Sequence, residues 1–148
     1  MSVKTRLTED MKQALRSGDK GRLSVVRMAL AAIQQREVDE RVELDDAALV
    51  SVIEKLVKQR QDSVEQYRAG GRDDLADKEQ TEIEILRTYL PEPLSEEALA
   101  GLIEEAVDST GADSMKDMGR VMGYIKARAA GQADMSIVSA RVRARLSA

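Results

Sequence analysis

The sequence predicts an all-α protein, an N-terminal four-helix unit over residues 1–90 followed by a small three-helix tail domain over residues 91–148. Three observations carry that expectation. Charged residues make up 34% of the chain, and Ala, Leu and Val dominate the rest, which is the composition of helices rather than sheets. Apolar residues recur at spacings of three and four along most of the chain. The only two prolines stand one residue apart in Tyr89-Leu90-Pro91-Glu92-Pro93-Leu94-Ser95. Each ring fixes φ and removes a backbone donor, and the residue before each is pushed towards extended backbone, so no α-helix runs through. The simplest result is a stiff hinge between two helical units, with a kinked but continuous bundle as the alternative.

Taken in order, the first helix begins near Ser2, puts Val3, Leu7, Met11 and Leu15 on one face, and ends at Ser17-Gly18. Asp19 caps a second helix with the stripe Leu23, Val26, Leu30 and Ile33, which runs out around Glu37 to Arg41. Asp45-Asp46 opens a third, with Leu49, Ile53, Leu56, Val64 and Tyr67 facing inward. Gly70-Gly71 is the sharpest turn signal, and Asp73 or Asp74 starts a fourth helix with Leu75, Ile83, Leu86 and Leu90 on its face. These four pair as two hairpins.

After the prolines, Ser95 reads as an N-cap with Glu96 and Glu97 in the first turn, where the helix dipole favours them. The fifth helix carries Leu99, Leu102, Ile103, Ala106 and Val107 and ends before Gly111. Ser114 caps a sixth, with Asp117 in the position of a capping-box acid and Met115, Met118, Met122, Ile125 and Ala129 facing in. Gly131 breaks it. Asp134 caps the last helix, whose inward residues are Ile137, Val138, Val142 and Leu146.

What the chain lacks narrows its chemistry. There is no cysteine, hence no disulfide and no thiolate zinc site. There is no histidine, so the commonest general base near neutral pH and every serine–histidine or cysteine–histidine nucleophile are excluded. With no Phe or Trp and three tyrosines, modules that stack bases on aromatic platforms lack their tools. No phosphate-binding loop of the Gly-x-x-x-x-Gly-Lys type is present. Glu79 and Glu82 lack the histidine of a Glu-x-x-His metal motif and read as a solvated face. Arg22, Arg27 and Arg60 lie close to apolar stripes, where arginines pair with carboxylates such as Glu79 or Glu82. The opening residues have no apolar core of a signal peptide, and no apolar run is long enough to span a bilayer. The expected location is the cytoplasm.

The tail separates its charges. Pro91 to Asp113 holds seven acidic residues and no basic one, whereas Ser114 to Ala148 holds seven basic residues (Lys116, Arg120, Lys126, Arg128, Arg141, Arg143 and Arg145) against Asp117 and Asp134. Lys116 and Arg120 are four apart, as are Arg141 and Arg145, so each pair shares a helix face. Such a patch attracts phosphate backbones through counterion release. The competing reading is a dipolar module whose basic helices partly face its own acidic helix. Gly119 and Gly123, four apart inside a helix, each cost about 1 kcal/mol relative to alanine. Close crossing of a neighbouring helix is the plainer explanation; a backbone surface for a phosphate or a partner is the functional one.

The stretch Arg22-Leu23-Ser24-Val25-Val26-Arg27-Met28 begins a resemblance that strengthens at Gly71-Arg72-Asp73-Asp74-Leu75 and Glu82-Ile83-Glu84-Ile85-Leu86. It becomes specific at Tyr89-Leu90-Pro91 and at Asp117-Met118-Gly119-Arg120-Val121-Met122-Gly123. From end to end the chain resembles the YqeY family, standalone bacterial proteins with the GatB/YqeY domain. These look like the helical and tail regions of the B subunit of the tRNA-dependent amidotransferase, which converts Glu-tRNA(Gln) or Asp-tRNA(Asn) to the amidated form. The resemblance implies a helical domain, a smaller tail domain and a link to tRNA through the tail. Carried over by position, the RNA-binding candidates are Lys116, Gly119, Arg120, Gly123, Lys126, Arg128, Arg141 and Arg145.

The expected function is a tRNA-binding module acting with partner proteins, such as an aminoacyl-tRNA synthetase or amidotransferase-type proteins, without DNA or a membrane. Two alternatives stand beside it. One is an amidotransferase component with carbon–nitrogen ligase activity using glutamine as amido donor; the other is a protein-interaction module with no RNA role. The residues offer no independent catalyst, no cofactor site and no metal site.

Overall fold

The computed structural model describes residues 2–148, and every regular element among them is helical: seven α-helices and one 3₁₀ turn, with no strand. Contacts sort these elements into two compact units, one ending at Leu90 and the other spanning Pro91–Ala148, each with its own apolar core.

In the first unit α1 (Val3–Ser17) and α2 (Lys20–Glu40) are joined through Gly18, whose φ of 73° is the left-handed turn a glycine makes without strain. Ser2, Asp19 and Asp45 each accept a backbone N–H three residues on, starting α1, α2 and α3 (Asp46–Ala69). At 24 residues, α3 is a rod of about 35 Å. Gly71, at φ 71°, turns it back into α4 (Asp73–Arg87). One turn escaped sequence reasoning: α2 ends on Arg41 in the left-handed region (φ 53°) rather than on a glycine. The core runs through Leu7, Val26, Ala29, Ile33, Leu49, Ile53, Ile83 and Leu86. Each large aliphatic among them contributes about 1.5–3 kcal/mol by leaving water.

Two inward assignments change here. Leu15 is 59% exposed and Ala14 takes its place. At about 100° per residue, Ala14 returns to within about 20° of Val3 whereas Leu15 lies about 120° away. The fourth helix stops at Arg87, so Leu90 lies outside it, half-buried, and Tyr89 supplies the buried side chain. The Tyr89 hydroxyl donates to the Asp10 carboxylate, Arg6 lies over its ring at 5.2 Å, and Arg6 also donates to the Thr88 carbonyl at 2.8 Å. Burial, then Asp10, pushes the Tyr89 phenol well above its ordinary value. The chain is thus fastened to α1 immediately before Pro91.

In the second unit α5 (Glu96–Thr110) starts on Ser95, whose hydroxyl accepts from Ala98 N at 3.1 Å, and ends on Gly111 at φ 66°. A 3₁₀ turn, Met115–Asp117, precedes α6 (Met118–Ala129), and α7 (Met135–Ser147) follows the cap Asp134. The sixth helix therefore begins three residues later than its apolar pattern suggests, Ser114 makes no side-chain cap bond, and Met115 is exposed. Val121, absent from the predicted stripe, is fully buried. Ile137 is 53% exposed because it sits one residue off the stripe Val138, Val142 and Leu146. Leu94 N donates to the Gln132 carbonyl at 2.9 Å and Gln132 Nε2 to the Glu92 carbonyl at 3.2 Å, tying the proline segment to the α6–α7 connection.

Candidate functional site

The eight predicted site residues all lie in the second unit, but the structure divides them. Arg141 pairs with Glu96, and Arg145 grips Glu104 with two bonds of 2.6 and 3.2 Å. Both acids belong to α5. Hydrogen bonds from Arg145 hold the Glu104 carboxyl below its usual range, and Glu104 in turn raises the Arg145 guanidinium. The acidic helix thus faces the last basic one, as in the dipolar reading, and neutralises Arg141 and Arg145. The two arginines share a face, as four-residue spacing requires, and the face they share is the one towards α5.

Arg120 is engaged locally. It pairs with Asp117 and donates to the Thr110 carbonyl at 3.0 Å, closing the loop between α5 and the 3₁₀ turn. Asp117 also accepts from Asp113 N at 3.1 Å, and Arg120 first, then that N–H, brings the Asp117 carboxyl down to about 2. Asp117 reaches back as a capping-box acid does, to the backbone N–H groups of Ser114 and Asp113. Arg128 lies over the Tyr124 ring at 3.5 Å and donates to the Tyr124 carbonyl at 3.2 Å, keeping its charge while covering that aromatic face.

Lys116, Lys126 and Arg143 are exposed and, among the described residues, have no carboxylate partner. Arg143 belongs to the basic run, but spacing of four selects Arg141 and Arg145 and passes over it. On α7 it lies on the other flank, beside Ser136, Ser139 and Ala140 and across from Lys126 and Met122 of α6, in an open groove of about 530 Å³.

Gly119 and Gly123 are exposed, and a Cβ built on either would meet nothing within 4 Å. Close crossing of a neighbouring helix in this chain is therefore not their explanation. With Ala127, also exposed, they form one smooth row along α6, bordered by Arg120 and Lys126.

The first unit uses its charges differently. Arg60, with 11% of its side chain exposed, has Nε 3.3 Å from Glu82 and 4.0 Å from Glu79, donates to the Leu56 carbonyl at 3.1 Å, and reaches Met28 Sδ at 2.5 Å. Its buried Nε makes no aligned hydrogen bond, so the contact with Glu82 is one of charge. Glu79 and Glu82 are half-buried and turned to Arg60 rather than a solvated face. Burial first, then the neighbouring Glu82, raises the Glu79 carboxyl above its ordinary range. Arg22 pairs only with its own cap Asp19 at 3.8 Å, and Arg27 is exposed without an ion pair among the described residues. Lys4 meets Glu37 at 2.9 Å, and Glu37 also accepts from Leu44 N at 2.9 Å, which together hold its carboxyl down and join α1, α2 and the loop into α3.

Comparison with known proteins gives a family for the whole chain. A family model described as Yqey-like protein matches residues 4–146. The protein named Altered inheritance of mitochondria protein 41, mitochondrial, of Lachancea thermotolerans is 31% identical over 143 residues, covering 92% of this chain and 76% of that protein. Its namesake in Pyrenophora tritici-repentis is 35% identical over 151 residues, covering 95% and 79%. These relatives are eukaryotic and named mitochondrial, so they lend no support to a bacterial source or a cytoplasmic location. Among the described residues no helix is long and apolar enough to cross a membrane.

Proposed function

The chain belongs to the YqeY-like family, and from that premise we propose that it is a tRNA-binding module of the cytoplasm that works with partner proteins. In this reading residues 1–90 form a four-helix domain and residues 91–148 a three-helix tail domain related to the tail of the amidotransferase B subunit. The tail meets the RNA. The observation that supports it most is the one-sided neutralisation of the tail: α5 absorbs Arg141 and Arg145, while Lys116, Lys126, Arg128 and Arg143 keep charges no carboxylate cancels. Unpaired lysines and arginines release counterions on meeting phosphate, whereas a paired arginine must first give up its own carboxylate. The smooth row of Gly119, Gly123 and Ala127 lets a sugar–phosphate backbone come close to α6 beside Lys126.

Titration of fluorescently labelled tRNA with the full chain at several salt concentrations tests this. Binding should weaken with salt by a log–log slope of roughly 0.7–0.9 per phosphate neutralised. Absence of binding at low salt would transfer the function to protein–protein contacts. Turnover of misacylated tRNA with ATP and glutamine, above a protein-free control, would instead make the chain an amidotransferase in its own right.

A further inference from the structure

The groove between α6 and α7 combines features that attraction to a phosphate backbone does not require. Its edges carry the two unpaired cations, Lys126 from α6 and Arg143 from α7, both exposed, and no acidic residue lines it. Its deeper parts are two thioethers: Met122 and Met135 are half-buried and packed against the core of the unit. Ser136 and Ser139 add two hydroxyls along the α7 side. The groove, of about 530 Å³, is open to solvent along its length. The corresponding groove between α5 and α6, lined by Leu94, Ala98, Leu102 and Arg128, carries Glu105 beside that one arginine, so it lacks the two-cation edge of the first. The N-terminus of α7 is already capped, since Asp134 accepts from Ser136 N at 2.8 Å.

Resting on the RNA-binding reading above, we propose that this groove seats one unpaired nucleotide of the bound RNA, its phosphate between Lys126 and Arg143 and its base on Met122 and Met135. A duplex exposes phosphates, 2′-hydroxyls and base edges but keeps its base faces stacked out of reach, and so leaves an apolar floor unused. An unpaired nucleotide offers a polarisable ring, which suits thioether sulfur, and a 2′-hydroxyl, which suits Ser136 or Ser139. Thioethers take the part that aromatic rings take in other single-strand readers, because the tail's one aromatic ring, Tyr124, is already covered by Arg128.

The test compares a stem–loop RNA with a blunt duplex of equal length, by fluorescence anisotropy at fixed salt with the full chain. The stem–loop should bind at least tenfold more tightly. The double variant K126E/R143E should lose at least tenfold in stem–loop affinity, whereas R141Q/R145Q, which removes only cations already paired to α5, should lose less than threefold. Ala140→Glu places an acid at the groove's exposed edge on a helix-compatible residue; it should weaken the stem–loop strongly while circular dichroism stays unchanged. Met122→Ala with Met135→Ala should erase the stem–loop preference and leave duplex affinity in place. If stem–loop and duplex bind alike, or if R141Q/R145Q costs more than K126E/R143E, the groove is not the seat, although the chain still binds RNA. If neither RNA binds, the RNA-binding reading falls and this inference with it.

Discussion

The two units spend their charges in opposite ways. In the first, cations at half-buried positions join separate segments of the chain: Lys4 holds Glu37, Arg60 lies between Glu79 and Glu82, and Arg6 covers Tyr89. In the second, Arg141 and Arg145 are cancelled by α5 and Arg120 by Asp117, while Lys116, Lys126 and Arg143 lie exposed with no carboxylate partner among the described residues. A basic residue therefore marks a binding surface only after its neighbours are known. Arg60 answers to stability, whereas the proposed function assigns Lys116, Lys126, Arg128 and Arg143 of the tail to a ligand.

The sharpest test of that contrast removes packing from the first unit. Ile53 is fully buried, and Ile53→Ala should cost about 2–5 kcal/mol in urea unfolding. If the tail alone contacts RNA, tRNA affinity at low denaturant should be unchanged. A parallel loss of affinity would place part of the RNA surface on the first unit.

Next in size is the buried charge. Arg60→Met keeps most of the side-chain volume but leaves Glu79 and Glu82 facing each other without a cation. Removing one member of a fully buried pair costs about 3–5 kcal/mol, and the partial exposure here lowers the expectation to roughly 2 kcal/mol. Removing Arg143, which nothing pairs, should leave thermal stability within about 0.5 kcal/mol of wild type. If the two changes cost the same, the division between structural and ligand-directed cations fails.

Smaller still, and opposite in sign, is the effect of filling α6. Gly119→Ala and Gly123→Ala meet no neighbouring atom and should each stabilise the tail by about 0.5–1 kcal/mol. If the smooth row admits an RNA backbone, the same changes lower tRNA affinity, so stability and binding move apart. Stabilisation with unchanged affinity would leave the two glycines without a part in binding.

Much of the helical frame was legible because its signals are local. Ser2, Asp19, Asp45, Ser95 and Asp134 announce helix starts through one side-chain bond each, and Gly18, Gly71 and Gly111 end turns that need positive φ. The errors came where the answer depended on a neighbour. Arg41 takes the left-handed cap of α2 with no glycine to advertise it. Met115 belonged by spacing to α6 but sits in a 3₁₀ turn, exposed. For the site, spacing of four correctly put Arg141 and Arg145 on one face, yet no pattern within α7 tells which helix that face meets. Arg143, two residues from each, looked unremarkable for the same reason.

The smallest effect separates the units by the direction of their response to pH. Glu79 has its carboxyl raised by burial and by Glu82, so the folded first unit binds that proton more tightly than the unfolded chain does. Its contribution is complete below the ordinary carboxyl range and fades as pH rises through the raised value. In the tail, Glu104 and Asp117 are lowered by their arginines, so their contributions are present above the ordinary range and fade as pH falls, for Asp117 towards about 2. Glu79→Gln mimics the protonated side chain and leaves Arg60 with the single charge of Glu82. Relative to wild type, this variant should gain stability as pH rises from about 4.5 towards 7, the unfolded carboxyl lying near the lower figure. Glu104→Gln, by contrast, should lose stability relative to wild type over the same interval, and least at its acid end. Urea midpoints measured at several pH values decide it: two difference curves of the same sign would mean that Glu79 is held by Arg60 as an ordinary ion pair, and that Glu82 does not compete for the same cation.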